Sequence, residues 1–308
     1  MQYGIVIPFT SAIITLITLS CAKNMLSQPS ISRQIFSFSQ NTKISYEVHG
    51  EEDRSILCLH GFGASLETWR DIQASLAREG RLYLIDLKGF GLSSKPNDGR
   101  YSLEDQAEIV STFIESQNLR DVTLVGHSYG GAVSIFTYLK SISARKVNPV
   151  SKIILIDAAG YIQDLPFFVD ILRTPIINWI TMNLVPSKVR ARITLNRLFY
   201  DTTKVTDERV SRYAKYFDQP GTSYSFIEAA RQLIPKNPES IIEEIKNIKV
   251  PTLIVWGKND PAISVDYAYK FKEDISNSRV VIIPDCGHIP NEERPDETVE
   301  AIVDFLRS

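Results

Sequence analysis

Residues 121–131, DVTLVGHSYGG, decide the fold, because an apolar and β-branched run leads directly into a serine between two glycines. The run predicts a buried strand, and the residues from Tyr129 onward have helical spacing. A turn this tight between a strand and a helix forces an unusual backbone conformation on Ser128. Gly126 and Gly130 have no Cβ atom, so the two arms of the turn can approach each other. The stretch therefore predicts a serine oxygen that projects from the turn at the N-terminus of a helix.

The same alternation of strand and helix extends in both directions from this turn. Short apolar runs predict strands over 33–38, 42–50, 55–60, 81–87, 121–128, 151–160, 251–257 and 278–284. Helical spacing of apolar residues predicts helices over 65–80, 102–118, 129–142, 264–275 and 294–308. Alternating elements of this kind indicate an α/β protein with a mainly parallel sheet flanked by helices.

Residues 162–240 interrupt the alternation, because they contain several helical patterns and no strand between them. We interpret this segment as a helical cap inserted into a core made of residues 33–161 and 241–308. Its first part, 166–186, is strongly apolar, which predicts a cap helix that buries one face over a pocket; a lid that dips into a membrane is the alternative. The side chains predicted to line an acyl or ring pocket are Phe167, Phe168, Trp179 and Leu184.

The N-terminal residues 1–32 differ from the rest of the chain. The run from Ile5 to Ala22 carries no charge and is long enough for the apolar region of a signal peptide. Ser20 and Ala22 are small residues at the spacing of a cleavage site, although no lysine or arginine precedes the run. We therefore predict an exported or membrane-anchored protein that associates with a membrane through this segment. The alternative is a cytoplasmic protein in which the segment is a buried helix.

Composition excludes several classes of protein. The chain has 308 residues and a net charge of −2, which gives no basic surface for a nucleic acid. Three cysteines are too few for a disulfide framework, and four histidines make a multi-histidine metal site hard to build. We therefore predict no nucleic-acid partner and no metal ion. The sequence does not determine the oligomeric state.

A serine hydroxyl is a poor nucleophile, so Ser128 needs a histidine base, and the base needs an acid that orients it. His288 follows the last predicted strand, in the stretch DCGHIPNEERP, and therefore lies at the carboxyl edge of the sheet where Ser128 is expected. The remaining histidines lie in an early strand, in a turn and beside the serine, where structural roles are expected; they are His49, His60 and His127.

Three aspartates follow predicted strands and are candidates for the orienting acid. Asp285 lies three residues before His288 and is too close in sequence to face its ring across a short loop. Asp157 follows the strand beside the nucleophile strand. Asp260 lies on a loop next to the one that carries His288. The chain positions of the last two leave the choice between them open.

Two backbone amides are candidates for binding the negative charge that develops on a substrate oxygen. The amide of Tyr129 directly follows the nucleophile. The loop HGFG, residues 60–63, follows a predicted strand and offers the amide of Phe62. The predicted chemistry is acyl transfer to Ser128, which needs neither a metal nor an organic cofactor.

Several blocks of the chain resemble the α/β-hydrolase fold superfamily and occur in that family's order. They are HGFGASLETWR, DLKGFGLSSKP, GHSYGG, LIDAAG, PTLIVWGKND and CGHIPNEERP, and the match spans residues 41–308. The resemblance implies the α/β-hydrolase fold with a helical cap and a catalytic triad, and WGKND matches the family's acid block, which selects Asp260. The serine at position 128 distinguishes the chain from haloalkane dehalogenases and epoxide hydrolases, which carry aspartate there.

Within the family, the chain is similar to capped serine esterases, monoacylglycerol-type lipases and hydrolases that cleave carbon–carbon bonds in dienoic ring-fission products. The resemblance implies a serine hydrolase that acts by acyl-enzyme chemistry on an ester or related carbonyl substrate, a small to medium and apolar molecule. The alternatives are a carbon–carbon bond hydrolase, an acyltransferase on the same triad, a cofactor-free haloperoxidase-like side activity, and a non-catalytic ligand-binding protein.

Overall fold

An eight-stranded β-sheet lies at the centre of the protein. The computed structural model describes Met1, residues 33–143 and residues 148–308. The strands are Gln34–Ser37 (β1), Lys43–His49 (β2), Ser55–Leu59 (β3), Arg81–Ile85 (β4), Val122–His127 (β5), Val150–Ile156 (β6), Thr252–Gly257 (β7) and Ser278–Ile283 (β8). Their spatial order is β1-β2-β4-β3-β5-β6-β7-β8, so the nucleophile strand β5 lies near the middle of the sheet.

Only β2 runs against the other strands. β1 pairs antiparallel with β2, and β2 pairs antiparallel with β4, whereas every pair from β4 to β8 is parallel. β3, β5 and β7 are buried along their whole length, which is why their sequences are continuous apolar runs rather than alternating ones. The mainly parallel sheet predicted from the sequence is therefore confirmed.

Helices cover the sheet and fill the long connection after β6. In the described part of the chain they are Arg70–Leu76 (α1), Leu103–Ser116 (α2), Tyr129–Ser143 (α3), Phe167–Arg173 (α4), Pro175–Leu184 (α5), Ser187–Leu198 (α6), Asp207–Ala214 (α7), Thr222–Arg231 (α8), Pro238–Ile245 (α9), Asp266–Asp274 (α10), Pro290–Glu293 (α11) and Pro295–Arg307 (α12). A short 3₁₀ helix, Leu66–Trp69, precedes α1, and Ser65 caps it, so the helix predicted over 65–80 is shorter and begins with a tighter turn.

Two groups of buried apolar side chains cover the two faces of the sheet. The larger group contains Leu57 and Leu59 of β3, and the smaller group contains Ile56 and Cys58 of the same strand. Because successive side chains of a strand point to opposite faces, the sheet is packed between two apolar layers. This packing holds the carboxyl ends of β3, β5, β6, β7 and β8 together at one edge, where the loops that follow them converge.

Six α-helices, α4 to α9, and a short 3₁₀ helix, Thr202–Lys204, lie between β6 and β7, and residues 157–251, all of them described, contain no strand. The sequence predicted the helical character of this segment but not α9, which crosses the predicted boundary at residue 240. Residues 33–308 form one compact unit. The division into a core of residues 33–161 and 241–308 and a cap of residues 162–240 therefore stays a prediction.

The predicted export signal or membrane anchor, residues 1–32, lies outside the described residues except for Met1. Among the residues that the structure describes, no helix combines the length and the apolar character needed to cross a bilayer.

Candidate active site

Ser128 lies at the junction of β5 and α3 in a left-handed backbone conformation, with a φ of 51°. A residue other than glycine adopts this conformation at a cost of about 1–3 kcal/mol. A Cβ atom on Gly130 would overlap the carbonyl oxygen of Leu59, and one on Gly126 would overlap the carbonyl oxygen of Gly130. The two glycines are therefore required by the close approach of backbone to backbone, as the sequence predicted.

Ser128, His288 and Asp260 form a continuous chain of hydrogen bonds. His288 Nε2 lies 2.8 Å from Ser128 Oγ, and His288 Nδ1 lies 2.7 Å from Asp260 Oδ2. The other oxygen of Asp260 accepts hydrogen bonds from the amides of Ala262 (2.7 Å) and Ile263 (3.0 Å). These contacts fix the direction of each bond: an ionised Asp260 accepts from Nδ1–H, which leaves Nε2 free to accept the Ser128 hydroxyl proton.

Asp157 lies directly behind this chain and forms a pair of carboxyl groups with Asp260. One oxygen of each carboxyl group and a ring nitrogen of His288 lie within 4.8 Å of one another. Asp157 Oδ1 accepts a hydrogen bond from the amide of Gly257 at 3.0 Å, and its buried Oδ2 has no N–H donor. The imidazole of His288 is thus hydrogen-bonded to Asp260 and not to Asp157.

The two carboxyl groups differ in charge because their surroundings differ. Burial raises the pKa of Asp157 well above its usual range, and the neighbouring charge of Asp260 raises it further. Burial opposes ionisation of Asp260 as well, but the adjacent imidazole of His288 and the hydrogen bonds to its oxygens lower the pKa of Asp260 below its usual value. Of the two carboxyl groups, Asp157 is therefore the one whose neutral form is favoured, and Asp260 the one whose ionised form is favoured.

Asp157, Asp260 and His288 together form the one cluster among the described residues whose side chains could serve as metal ligands. A zinc ion would need its nitrogen and oxygen ligands at about 2.0–2.2 Å, with their lone pairs turned toward it. The Nδ1 atom of His288 and the Oδ2 atom of Asp260 instead point at each other. The geometry fits a hydrogen-bonded acid and base and does not fit a metal site.

The other histidines have structural contacts. Nε2 of His60 accepts a hydrogen bond from the amide of Leu87, and His49 lies between Glu47 and Gln73. His127 donates from Nε2 to the carbonyl oxygen of His288 at 2.7 Å, and burial lowers the pKa of His127 to about 3, so its ring is neutral. This last contact anchors the loop of His288 to the nucleophile strand, a role that no pattern in the sequence indicates because the two residues are far apart in the chain.

The HGFG loop packs against the nucleophile turn. The amide of Ala64 donates to the carbonyl oxygen of Gly61, and Gly63 takes a φ of 72°, which only glycine adopts without strain. A Cβ atom on Gly61 would lie 2.8 Å from Nδ1 of His127 and 3.3 Å from Cβ of Ser128. The turn that carries Phe62 is therefore held beside the serine.

Comparison with known proteins decides the family. The model of the family described as "alpha/beta hydrolase fold" matches residues 54–295. The chain belongs to the α/β hydrolase fold family. A 2-hydroxy-6-oxo-6-(2'-aminophenyl)hexa-2,4-dienoic acid hydrolase of Metapseudomonas resinovorans is 31% identical over 82% of this chain and 83% of its own length. Monoacylglycerol lipase ABHD6 of Mus musculus is 30% identical over 82% of this chain and 76% of its own.

A solved structure supports the fold of this α/β hydrolase. A meta-cleavage product hydrolase from Pseudomonas fluorescens IP01 superposes with a TM-score of 0.74 at 23% identity, covering 90% of this chain and 98% of that one. The proteins similar to this chain thus include a dienoic acid hydrolase, a monoacylglycerol lipase and a meta-cleavage product hydrolase, which confirms the resemblance seen in the sequence but does not select a substrate.

Two apolar cavities of this α/β hydrolase meet at Ser128. One has a volume of about 110 Å³ and lies between α3, the loop after β6 and α9; the other has a volume of about 240 Å³ and lies beneath α4, α5 and α6. Ser128, Phe62 and Phe168 line both cavities, and His288 lines the larger one. Apolar space is therefore available on two sides of Ser128.

The sequence-based list of pocket residues was partly wrong. Phe167 and Phe168 do line the larger cavity. Trp179 and Leu184 do not, because they lie on the outer side of α5, where 59% and 65% of their surfaces are exposed. Apolar composition located the helix correctly, but only the packing of α5 decided which of its faces points inward.

Proposed function

We propose that the protein is a serine hydrolase that cleaves esters of apolar, small to medium acyl groups through an acyl-enzyme. The observation that carries this proposal is the chain of hydrogen bonds from Ser128 through His288 to Asp260. Ser128, at one end of this chain, lines two apolar cavities. Membership of a family whose relatives include lipases adds to it.

In the proposed first step, Ser128 Oγ attacks the ester carbonyl while its proton moves to Nε2 of His288. The resulting imidazolium is stabilised by the carboxylate of Asp260, which accepts from Nδ1–H at 2.7 Å. Nε2 then gives the proton to the leaving alcohol, and the acyl group stays on Oγ. In the second step a water molecule loses its proton to Nε2 and attacks the acyl-enzyme, and the proton returns to Oγ as the acid leaves.

We propose that the amides of Phe62 and Tyr129 bind the oxyanion in both steps. Tyr129 is the first residue of α3, so its N–H has no partner within the helix and points outward from the helix N-terminus. Phe62 lies on the turn that packs against Ser128, and it lines both cavities. Loss of one such donor typically costs about 100- to 1000-fold in rate.

Arg190 favours a second candidate, the cleavage of a carbon–carbon bond in a dienoic acid. Among the side chains that line the two cavities, its guanidinium is the one permanent charge. It donates to Asp218 at 2.8 Å, while its buried Nε has no partner in the described structure. A substrate carboxylate would find a cation there. Because Asp218 already neutralises much of this charge, we rank ester hydrolysis first.

Two further proposals rest on the sequence. We propose that residues 162–240 act as a cap whose helices form the walls of the substrate cavities, since Phe168 and Leu198 of this segment line the larger one. We also propose that residues 1–32 direct export or anchor the protein in a membrane, on the ground of the uncharged run from Ile5 to Ala22.

A fluorophosphonate probe and a substrate panel test the function together. The wild type should be labelled at Ser128 and should hydrolyse p-nitrophenyl esters, with or without activity on monoacylglycerols. Ser128→Ala should lose both properties, whereas Ser141→Ala, about 20 Å further along the same helix, should keep them. Labelling at another residue would contradict the mechanism, and absence of labelling would favour a ligand-binding protein.

The remaining alternatives are separated by the products. Faster turnover of a vinylogous dienoate than of any ester, with loss of that activity alone in Arg190→Gln, would establish the carbon–carbon candidate. Ester formation with an added alcohol in place of hydrolysis would establish an acyltransferase.

A further inference from the structure

Helix α5 exposes an unusually apolar surface. Its sequence, PIINWITMNL, contains no charged residue, and the exposed fractions of Ile176 and Leu184 are 76% and 65%. We define the α5 face as the exposed large apolar side chains of this helix, Ile176, Ile177, Trp179, Ile180 and Leu184. Single exposed apolar residues are ordinary, but a contiguous group of this kind marks an interaction surface.

The opposite side of α5 belongs to the larger cavity. Asn178 is buried and donates to the carbonyl oxygen of Leu172 at 2.9 Å, which fixes the rotation of the helix. Thr181 and Met182 line the cavity that contains Ser128. Ile193 of α6 lines the same cavity and is also exposed, so the apolar lining continues to the outer surface. Only the width of helix α5 thus separates the cavity from the α5 face.

The chain segment that contains α5 is basic, although Asp218 and Asp207 pair with its Arg190 and Arg192 and the exposed Asp170 directly precedes it. Residues 171–200 contain no aspartate or glutamate, and their basic residues are Arg173, Lys188, Arg190, Arg192 and Arg197. Arg173 and Lys188 flank α5 on its two sides in the chain, are exposed, and form no ion pair with another described residue. The α5 face is therefore an apolar surface with free positive charge at both ends.

We propose that the α5 face docks on the surface of an anionic lipid bilayer and that the acyl substrate passes from the lipid into the larger cavity. An apolar helix face with a tryptophan, flanked by cations, is the arrangement that lies in the interfacial region of a bilayer. A second copy of the chain fits the surface less well, because a two-fold interface would bring the like charges of Arg173 and Lys188 together. The proposal rests on the proposed ester hydrolysis and narrows its substrate to acyl lipids that partition into membranes.

Trp179 is a built-in reporter of this docking. The chain has three tryptophans, and Trp69 and Trp256 are fully buried, whereas Trp179 is 59% exposed. Residues 1–32 contain no tryptophan, so binding of the N-terminal segment to a vesicle adds no tryptophan signal of its own. The full-length protein is titrated with vesicles of phosphatidylcholine, with and without phosphatidylglycerol, and with brominated lipids that quench tryptophan on contact.

We expect a blue shift of the tryptophan emission and quenching of Trp179 by the brominated lipids. Binding should be stronger on vesicles that contain phosphatidylglycerol, by about 25-fold for two free cations at roughly fivefold each. The double variant Ile176→Ser/Leu184→Ser should weaken partitioning by at least about tenfold. The matched control Ile35→Ser/Tyr269→Ser changes two apolar residues of similar exposure, 55% and 56%, elsewhere on the surface and should bind as the wild type does.

Hydrolysis separates this proposal from the proposed function. On p-nitrophenyl butyrate in solution, the α5 variant and the control should keep similar rates; on a long-chain monoacylglycerol in vesicles, only the α5 variant should be slower. Unquenched Trp179 on both vesicle types, or a blue shift that grows with protein concentration without lipid, would overturn docking on a bilayer, the latter in favour of self-association. Quenched Trp179 in a wild type that hydrolyses no ester would instead refute the proposed function.

Discussion

The pair of carboxyl groups gives the sharpest prediction, because replacing either aspartate by asparagine should have very different effects. In Asp260→Asn, the side-chain carbonyl oxygen should keep the position that accepts from Ala262 and Ile263 at 2.7 and 3.0 Å. The amide nitrogen then replaces Oδ2 and donates to Nδ1 of His288. The imidazole is forced to carry its proton on Nε2, where it can no longer accept the proton of Ser128. We expect kcat/KM to fall by roughly 10⁴, or about 5.4 kcal/mol.

Asp157→Asn should be mild because the neutral form of Asp157 is already favoured. The new side chain keeps an oxygen for the amide of Gly257, which lies 3.0 Å from Oδ1 in the wild type, and an N–H donor for Asp260. The change exchanges one neutral donor for another, and a neutral hydrogen bond is worth about 0.5–1.5 kcal/mol. The expected loss in kcat/KM is therefore less than about tenfold.

The double variant tests the coupling between the two groups. When Asp260 loses its charge, the pKa of Asp157 should fall, because one of the causes that raise it is removed. An ionised Asp157 would lie within 4.8 Å of the imidazole and would preserve part of the activity. The loss of kcat/KM in Asp157→Asn/Asp260→Asn, expressed as a free energy, should therefore exceed the sum of the losses in the two single variants.

The assay is hydrolysis of a p-nitrophenyl ester across pH, with circular dichroism to verify folding. Thermal unfolding adds an independent measurement. A carboxyl group whose pKa is raised by folding contributes stability that is complete below its unfolded pKa and is lost as pH rises. Asp157→Asn should thus gain stability relative to wild type as pH rises from 4 to 8. If Asp157→Asn were the inactive variant and Asp260→Asn the mild one, the assignment of the acid would be wrong.

Three further predictions concern the turn, the larger cavity and the N-terminus. Gly130→Ala should prevent formation of the active site, because its Cβ would overlap the carbonyl oxygen of Leu59; normal activity and a normal melting curve would refute this. Phe168→Ala should shift the preferred acyl chain length by one or two methylenes, worth about 1–3 kcal/mol in kcat/KM, without loss of phosphonate labelling; an unchanged ester profile would assign Phe168 to packing alone. Removal of residues 1–30 should leave a folded, active enzyme, and a disordered circular dichroism spectrum would place that segment in the fold.

Local sequence determined the strands and the nucleophile turn. β3 and β5 are buried on both faces, so most of their residues are apolar, and such runs are visible without knowledge of any partner strand. The turn at Ser128 is equally local, because the conformation of one residue and the absence of two Cβ atoms are properties of a few consecutive positions. The helix α9, PESIIEEI, was not predicted, although Ile241, Ile242 and Ile245 have helical spacing and a proline suits the first turn of a helix.

Tertiary structure alone decided the relations between distant residues. Asp157 and Asp260 both follow strands that end at the same edge, and their separate roles depend on which carboxyl group receives the Nδ1 proton of His288. The contact of His127 with the carbonyl oxygen of His288 and the outward position of Trp179 likewise depend on how loops and helices pack. Composition and periodicity record the preference of each segment for burial, whereas a hydrogen bond depends on distances of a few tenths of an ångström between atoms that the whole fold brings together.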